Sequence, residues 1–187
     1  MNREFLGAEN VYLRPLCEED IGPRYLGWLN DDEVCRYNSH AIFPNTDSRM
    51  REYVKWAQET RDAVVLAIVS RADDLHIGNI ALLDIDWIAR SANFAILVGE
   101  RDYWKRGVGA EAGLVLVRYA FERLNLNRVY CGTSADNMGM QRLAVRLGMQ
   151  QEGVRREAIY KHGRYVDLVE FGVLRQEFEK LSQDLAR

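Results

Sequence analysis

The chain has 187 residues, of which 48% are apolar and 28% are charged, a balance typical of a soluble globular protein rather than a disordered one. Its 25 basic and 28 acidic residues give a formal net charge of −3, which argues against broad nucleic-acid binding because that function favours a basic surface. At roughly 150 residues per domain, the length predicts a single domain over residues 1–187.

The sequence has no segment that indicates a membrane or export. No apolar run approaches the roughly 18 residues of a membrane span, and the start, Met1–Phe5, lacks the apolar stretch of a signal peptide. Cys17, Cys35 and Cys131 are odd in number and far apart, which favours reduced thiols over a disulfide framework. We therefore expect a soluble, cytoplasmic protein.

The first part of the chain predicts one short strand and several helices. Pro15 ends the strand, an acidic start at residues 18–20 suits the first helix, and Thr46 or Asp47 can cap the last one. The predicted elements are a strand over Val11–Arg14 and helices over Glu18–Leu29, Asp31–Tyr37 and Thr46 or Asp47 to about Glu59.

Strands dominate the middle of the chain, and helices and strands then alternate to its end. The predicted elements are strands over Val64–Val69, His76–Asp84 and Ala92–Val98, a helix over Gly109–Leu124, a strand over Arg128–Thr133, a helix over Met138–Leu147 that Gly148 ends, two strands around a turn at 161–164, and a helix over Arg175–Leu185. The pattern predicts an α/β or α+β fold with one central sheet.

The segment from residue 95 to residue 112 is the most informative part of the sequence. It consists of a buried strand, a short polar connection, Gly107 and Gly109, and then an amphipathic helix. The unpaired N–H groups and the dipole at a helix start attract an anion, and Lys105 and Arg106 add positive charge beside it. This arrangement suits a phosphate or pyrophosphate, although two glycines between a strand and a helix also occur in a simple tight connection.

Three familiar motifs do not fit the sequence. It has no Gly-x-x-x-x-Gly-Lys-Ser/Thr phosphate loop, and the glycine pair lacks the third glycine of the dinucleotide fingerprint. A Gly-x-Ser-x-Gly nucleophile elbow is also missing. His40, His76 and His162 are scattered, so no zinc site is expected.

Asn137 follows the strand Arg128–Thr133 and precedes a helix. Its amide group offers donors and an acceptor that can hold an extended, amide-bearing ligand. A helix cap is the alternative interpretation of this residue.

In their order and spacing, these segments resemble the GNAT superfamily of acetyl-coenzyme A-dependent N-acetyltransferases, and more narrowly its RimJ/RimL-like branch. The chain is also similar to nucleotide amino-sugar N-acetyltransferases. The resemblance covers nearly the whole chain and rests on these segments: Val11–Leu16, Trp28–Val34, His76–Ile80, Tyr103–Ala112, Ala120–Leu126, Asn137, Arg146–Met149 and Gln151–Arg155.

The resemblance implies a GNAT fold, in which helices flank a central, mixed, mostly antiparallel sheet of about seven strands. It also implies that the fourth and fifth strands splay apart to admit acetyl-CoA. The implied pyrophosphate site consists of Lys105, Arg106, Gly107, Val108, Gly109 and Ala110, and the implied pantetheine contacts are Leu97, Val98, Gly99 and Asn137. Arg142 and Arg146 lie within reach of the ribose phosphate or face solvent. No metal is implied.

The implied reaction is direct transfer of the acetyl group from the thioester to a primary amine in a ternary complex. Two positions depart from the wider superfamily, because Ala144 stands where many members carry a tyrosine acid and Asn93 where some carry a glutamate base. The substitute candidates for proton transfer are Asp84, Asp86, Glu100 and Tyr103.

The resemblance leaves the acceptor open. An amino-sugar nucleotide and the N-terminus of a protein or peptide are the leading alternatives, with polyamines and aminoglycosides also open. Because Ala144 is not a proton donor, a non-catalytic acyl-CoA-binding sensor on the same fold is the alternative function. The expected partners are acetyl-CoA and an amine, without nucleic acid or membrane, and a homodimer is one of the oligomeric states left open.

Overall fold

The computed structural model describes residues 4–185. Residues 186–187 lie outside the described part, and so do residues 1–3 of the segment Met1–Phe5 in which no signal peptide is predicted. Eight strands of this part form one sheet in the order β1-β2-β3-β4-β5-β6-β8-β7. The strands are β1 Leu6–Gly7, β2 Val11–Pro15, β3 Val64–Ser70, β4 His76–Asp86, β5 Ser91–Val98, β6 Arg128–Ser134, β7 Gln150–Lys161 and β8 Arg164–Leu174.

Within residues 4–185, five α-helices flank the sheet. They are α1 Pro23–Leu29, α2 Asp47–Glu59, α3 Val108–Glu122, α4 Met138–Arg146 and α5 Arg175–Leu185. Thr46 caps α2 by accepting the Arg49 N–H, as its residue type predicts. Gly148 follows α4 with a φ of +81°, which a helix-ending glycine adopts readily. Among residues 4–185, no helix is both long and apolar enough to cross a membrane.

Each neighbouring pair of strands is antiparallel except β5 and β6, which are parallel. The prediction of a mixed, mostly antiparallel sheet is therefore confirmed. The described sheet has eight strands rather than about seven because Leu6 and Gly7 pair with Leu13 and Tyr12. A two-residue strand is too short to show the alternation of apolar and polar residues by which a strand is predicted.

The helices cover the two faces of the sheet unequally. On one face, α3, α4 and α5 pack on a core to which β1–β6 and β8 contribute, and this core includes Phe94, Leu116, Phe121 and Val129. On the opposite face, α1 and α2 cover only the half that contains β2–β5. Within the described residues, no buried side chain of β6, β7 or β8 joins that second core, so this part of the sheet carries no helix on its second face.

The predicted helix over Glu18–Leu29 is wrong in one respect, because it is two separate elements. Residues 18–20 form a single 3-10 turn, and α1 begins at Pro23. Gly22 is fully extended, with φ of −171° and ψ of −179°. A residue that precedes proline is disfavoured in the helical region, so the chain cannot stay helical through Gly22.

The predicted helix over Asp31–Tyr37 is also wrong, because this segment forms turns. The Asp31 carboxylate accepts the N–H groups of Glu33 and Val34, which orders one turn. Beyond that turn, the Lys161 ammonium donates to the carbonyl oxygens of Cys35 and Asn38, at 3.0 and 2.5 Å. These carbonyls bind the tip of the β7–β8 hairpin instead of continuing a helix.

Candidate active site

The sheet opens between β5 and β6. The two strands pair over only three residues, Ser91–Asn93 with Arg128–Tyr130. Residues 94–98 of β5 and 131–134 of β6 do not pair with one another. A cleft therefore separates the strands beyond Asn93. The resemblance implied this opening between the fourth and fifth predicted strands, which are β5 and β6 here because β1 was not predicted.

The alternation of the backbone decides which groups of β5 face this cleft. Gly99 donates its N–H to the carbonyl oxygen of Ile77 at 2.9 Å, so Gly99 belongs to the ladder with β4. Every second residue of an antiparallel strand directs its N–H and C=O to the same neighbour, so Leu97 also faces β4. The main-chain groups of Ile96 and Val98 therefore point into the cleft.

Trp104 already binds one of these main-chain groups. Its indole N–H donates to the carbonyl oxygen of Val98 at 2.8 Å. Of the residues predicted to hold a ligand by main-chain pairing, Val98 keeps an available N–H at the cleft, whereas Leu97 and Gly99 direct theirs to β4. Ile96, which the sequence analysis did not identify, directs both its N–H and its C=O into the cleft.

The predicted phosphate site lies at the start of α3. Gly107 caps this helix with a φ of +84°, which glycine adopts without the strain of other residues. An added Cβ at Gly109 would lie 3.6 and 3.8 Å from the side chains of Ile96 and Val98, which are ordinary contact distances, so the start of the helix packs beside β5. Among residues 4–185, the N–H groups of Val108 and Gly109 have no protein acceptor, which leaves them and the helix dipole to an anion.

The other predicted phosphate residues surround this helix start. Lys105 and Arg106 are exposed, and the Arg106 guanidinium lies 5.4 Å from the ring centroid of Tyr103. Ala110 donates its N–H to the carbonyl oxygen of Gly107 at 3.0 Å, so its amide is already engaged. Val108 and Gly109 therefore supply the open amides, and Lys105 and Arg106 supply charge.

Two of the predicted catalytic residues are bound to other side chains of the protein. Glu100 accepts the indole N–H of Trp28 at 3.0 Å and pairs with Arg24 at 3.3 Å. The hydroxyl of Tyr103 donates to Asp73 at 2.8 Å, on the turn between β3 and β4. Both side chains therefore fasten the connection between β5 and α3.

Trp28 explains why this connection begins with glycine. Its ring packs against Gly99 so closely that an added Cβ would lie 2.0 Å from the ring. The ring is buried, with 5% of its surface exposed. Trp28 therefore holds the end of β5 in place, where the chain leaves the cleft and leads to α3.

Asn137 lies at the far end of β6 and caps α4. Its side-chain oxygen accepts the N–H of Met140 at 3.1 Å, and its amide nitrogen donates to Thr133 at 3.1 Å. The helix-cap interpretation is confirmed, and one N–H of the side-chain amide remains for a ligand. Ala144 is fully buried in the core, and Arg142 and Arg146 are exposed on α4.

Asp84 and Asn93 are brought together at the base of the cleft. Asp84 lies in an irregularity of β4 with a φ of +51°, and its carboxylate is 3.5 Å from the amide nitrogen of Asn93. Bulges of this kind redirect a side chain. Asp86, two residues on, accepts the N–H groups of Ile88 and Ala89 at 2.8 and 2.7 Å and so stabilises the hairpin turn.

A cavity of about 290 Å³ adjoins the base of the cleft on the face of the sheet that carries no helix there. Side chains of β5–β8 line it, including Asn93, Tyr130, Leu168 and Glu170. Cys131 also borders the cavity, but burial raises the pKa of its thiol to about 12, so the thiol is not a nucleophile near neutral pH.

Tyr130 is the residue that the sequence argument missed. It pairs directly with Asn93 in the last rung before β5 and β6 diverge. The signal was present in the alternation of β6, since Val129 and Cys131 are buried and Tyr130 must face the opposite side. Among residues 4–185, no three acidic, histidine or cysteine side chains cluster as metal ligands.

Comparison with known proteins identifies the family. The model of the acetyltransferase (GNAT) domain matches residues 10–150. The chain belongs to the GNAT family of acetyltransferases. GNAT acetyltransferases use acetyl-CoA as acetyl donor, so the cleft and the start of α3 match the kind of cofactor that the family binds.

Individual GNAT relatives match over nearly their whole length. The SPbeta prophage-derived N-acetyltransferase YokL of Bacillus subtilis is 31% identical, over 92% of this chain and 94% of its own. The N-acetyltransferase p20 of Bacillus licheniformis is 30% identical, over 94% and 98%. The spermidine N-acetyltransferase of Vibrio cholerae, crystallised with CoA and spermine, shares the fold with a TM-score of 0.83 and 20% identity, over 91% of this chain and 98% of its own.

Proposed function

We propose that this GNAT protein transfers the acetyl group of acetyl-CoA to a primary amine by direct attack in a ternary complex. The observation that carries the proposal is the three-residue pairing of β5 and β6, which opens a cleft beside the uncovered N–H groups of Val108 and Gly109. The proposal assigns this activity to one domain over residues 1–187.

In this proposal the diphosphate of acetyl-CoA binds at the start of α3 and the pantetheine arm extends along β5. Val108 and Gly109 donate N–H groups to the diphosphate, and Lys105 and Arg106 add charge. The pantetheine amides pair with Ile96 and Val98 as an added strand does, and Asn137 donates its remaining amide hydrogen. An uncapped N–H of the splayed strand can then polarise the thioester carbonyl.

The reaction needs a route for protons. An alkyl ammonium with a pKa near 10 first gives one proton to a base, and its nitrogen then forms a bond to the acetyl carbon. The carbon–sulfur bond breaks, the nitrogen loses a second proton, and the thiolate takes one, so the products are the amide, the CoA thiol and one released proton. Orientation of the two reactants supplies most of the rate.

Asp84 is the proposed base and Tyr130 the proposed proton donor to the thiolate. Asp84 is an exposed carboxylate held against Asn93, and Asn93 is the residue that stands where some members carry a glutamate base. Tyr130 lies beside Asn93, and its hydroxyl takes the place of the tyrosine that is missing at Ala144. Glu100 and Tyr103 are engaged with Trp28 and Asp73, which favours a positioning role for them.

The acceptor is proposed to be a small molecule or an N-terminus that offers a primary amine. The RimJ/RimL-like resemblance favours a protein N-terminus, and the likeness to amino-sugar enzymes favours a sugar amine. The Vibrio cholerae relative acts on spermidine, which is also a primary amine. A cytoplasmic location and the absence of nucleic acid from the reaction belong to the same proposal.

Release of free thiol from acetyl-CoA tests the proposal. The purified protein is mixed with acetyl-CoA and a panel of amino acids, hexosamine phosphates, polyamines, aminoglycosides and peptides. We expect thiol release and an acetylated product with at least one amine class. Tight CoA binding without turnover on any amine would contradict the proposal and favour the acyl-CoA sensor.

A further inference from the structure

The cavity beside the cleft contains charges of both signs. Two arginines and two glutamates line it, Arg128 and Glu152 at one end and Arg155 and Glu170 at the other. They lie on β6, β7 and β8, on the face of the sheet that no described helix covers. The cavity is therefore neither a cationic nor an anionic pocket.

The first of these pairs is built into the sheet. Arg128 donates twice to Glu152, with 2.6 Å between Nη1 and Oε1. An added Cβ at Gly172 would lie 2.7 Å from both partners, so the pair lies flat across a glycine that leaves room for it. The hydrogen bond from Arg128 also holds the pKa of Glu152 below its ordinary value. Arg128 and Glu152 therefore hydrogen-bond to each other and form one end of the cavity wall.

No hydrogen bond joins the second pair, Arg155 and Glu170. The nearest nitrogen and oxygen of Arg155 and Glu170 are 3.7 Å apart, beyond hydrogen-bond distance, and the two side chains are 65% and 43% exposed. Such an exposed pair contributes little to stability. A guanidinium and a carboxylate in this position retain hydrogen-bonding capacity that a ligand can use.

From this asymmetry we infer that the cavity binds an acceptor that carries an anionic group as well as its amine. The ammonium of the acceptor lies at Glu170, and its carboxylate or phosphate lies at Arg155. This inference rests on the proposed function and narrows its acceptor to small amines with an acidic group, such as an amino acid or a hexosamine phosphate. A polyamine, which has only positive charges, would leave Arg155 unpaired and repelled.

The assignment follows from the position of the cavity. Asn93 and Tyr130 form one of its edges and also the last rung of β5 and β6, so an amine in the cavity lies next to the opening of the cleft. Asp84 contacts Asn93 at the same place. The acceptor amine therefore has a path from Glu170 to the thioester without leaving the sheet surface.

A matched set of acceptors tests the inference. Initial rates are measured for amino acids, for the same amino acids with the carboxylate converted to an amide, for a hexosamine phosphate and for spermidine. We expect kcat/KM to be at least about tenfold higher for an acceptor with its acidic group than for the matched neutral amine, the effect of one charged hydrogen bond. The amino acid and the hexosamine phosphate distinguish the two sources of the anion.

Variants locate the effect. Arg155→Gln is expected to raise KM for the acidic acceptor about tenfold and to leave KM for the neutral amide unchanged, and Arg155→Lys is expected to restore part of the loss. Glu170→Gln should raise KM for both. Arg156→Gln is the control, because this exposed neighbour does not line the cavity.

Two results would overturn the inference while the proposed function stands. One is a preference for spermidine or neutral amines over acidic acceptors, and the other is an unchanged KM in a folded Arg155→Gln protein. Absence of turnover with every amine would instead overturn the proposed function itself.

Discussion

The N-terminal half of the sheet, β1–β5, and the C-terminal half, β6–β8, are buried to different extents. In β3 every residue after Val64 is buried, because α3 packs on one face and α1 and α2 on the other. In β7 no residue is buried. The first half therefore resembles the inside of a layered core, whereas the second half has one face in contact with solvent.

This difference separates the parts that hold the structure from the parts that meet ligands. Trp28, Gly99 and Glu100 fasten the end of β5 inside the covered half. The charged and phenolic side chains of the cavity lie on the uncovered face of the other half. Substitutions of the buried side chains that hold the covered half should lower stability, and substitutions of exposed side chains at the cleft and the cavity should lower activity with little effect on stability.

The largest expected effect is on stability, from Trp28→Ala. This side chain is 5% exposed and packs against Gly99, so its removal leaves a cavity and should lower the free energy of unfolding by about 3–5 kcal/mol. Chemical denaturation measures the change. Trp87→Ala is the control, since Trp87 is 48% exposed and its loss should cost less than about 1 kcal/mol. Equal costs would contradict the buried packing of Trp28 against Gly99.

The next effect is on turnover, from Asp84→Ala. If Asp84 is the base, kcat at saturating acetyl-CoA should fall about a hundredfold while the melting temperature changes little. Asp86→Ala is the control on the same hairpin, where the carboxylate binds the turn instead of Asn93. A loss below about tenfold in Asp84→Ala would leave water or the acceptor itself as the proton carrier.

Tyr130→Phe should have a smaller effect of about tenfold on kcat, because it removes the hydroxyl and keeps the ring. Tyr165→Phe, at an exposed site on β8, should leave kcat unaltered. An unaltered kcat in Tyr130→Phe would exclude Tyr130 as the donor.

The order of strands and helices was largely predictable, because apolar periodicity and caps such as Thr46 and Gly148 are local signals. Gly22-Pro23 indicates a break before α1. The acidic residues 18–20 and the apolar spacing up to Leu29 nevertheless favoured one continuous helix, which is why that prediction was wrong. The contact of Asp84 with Asn93 depends on a register shift in β4, which no local pattern encodes. The Arg128–Glu152 pair across Gly172 joins three strands and depends equally on register.

The smallest expected effect is a dependence of stability on pH that originates in the covered half. Burial lowers the pKa of His76 below its ordinary value, although Asp20 lies 3.4 Å away and opposes the shift. The unfolded chain binds a proton near pH 6.5, where the folded protein does not, so the free energy of unfolding should fall as the pH drops below about 6.5.

Denaturation of His76→Gln and wild type at about pH 7.5 and about pH 5.5 measures this dependence. The variant should lose less stability on acidification than the wild type. His162→Gln, at the exposed hairpin tip, should keep the wild-type dependence. A steeper loss in His76→Gln would reverse the sign and contradict the buried, neutral state of His76.

Calorimetric titration of acetyl-CoA into Gly107→Val and Gly163→Val tests the cofactor site most directly. Both glycines have a positive φ, +84° and +78°, and no atom lies within 4 Å of an added Cβ, so the two substitutions impose the same kind of backbone strain. Only Gly107 precedes α3. The account predicts that Gly107→Val weakens binding at least about tenfold and that Gly163→Val stays within about twofold of wild type. Equal affinities in the two folded variants would contradict the placement of the diphosphate at this helix.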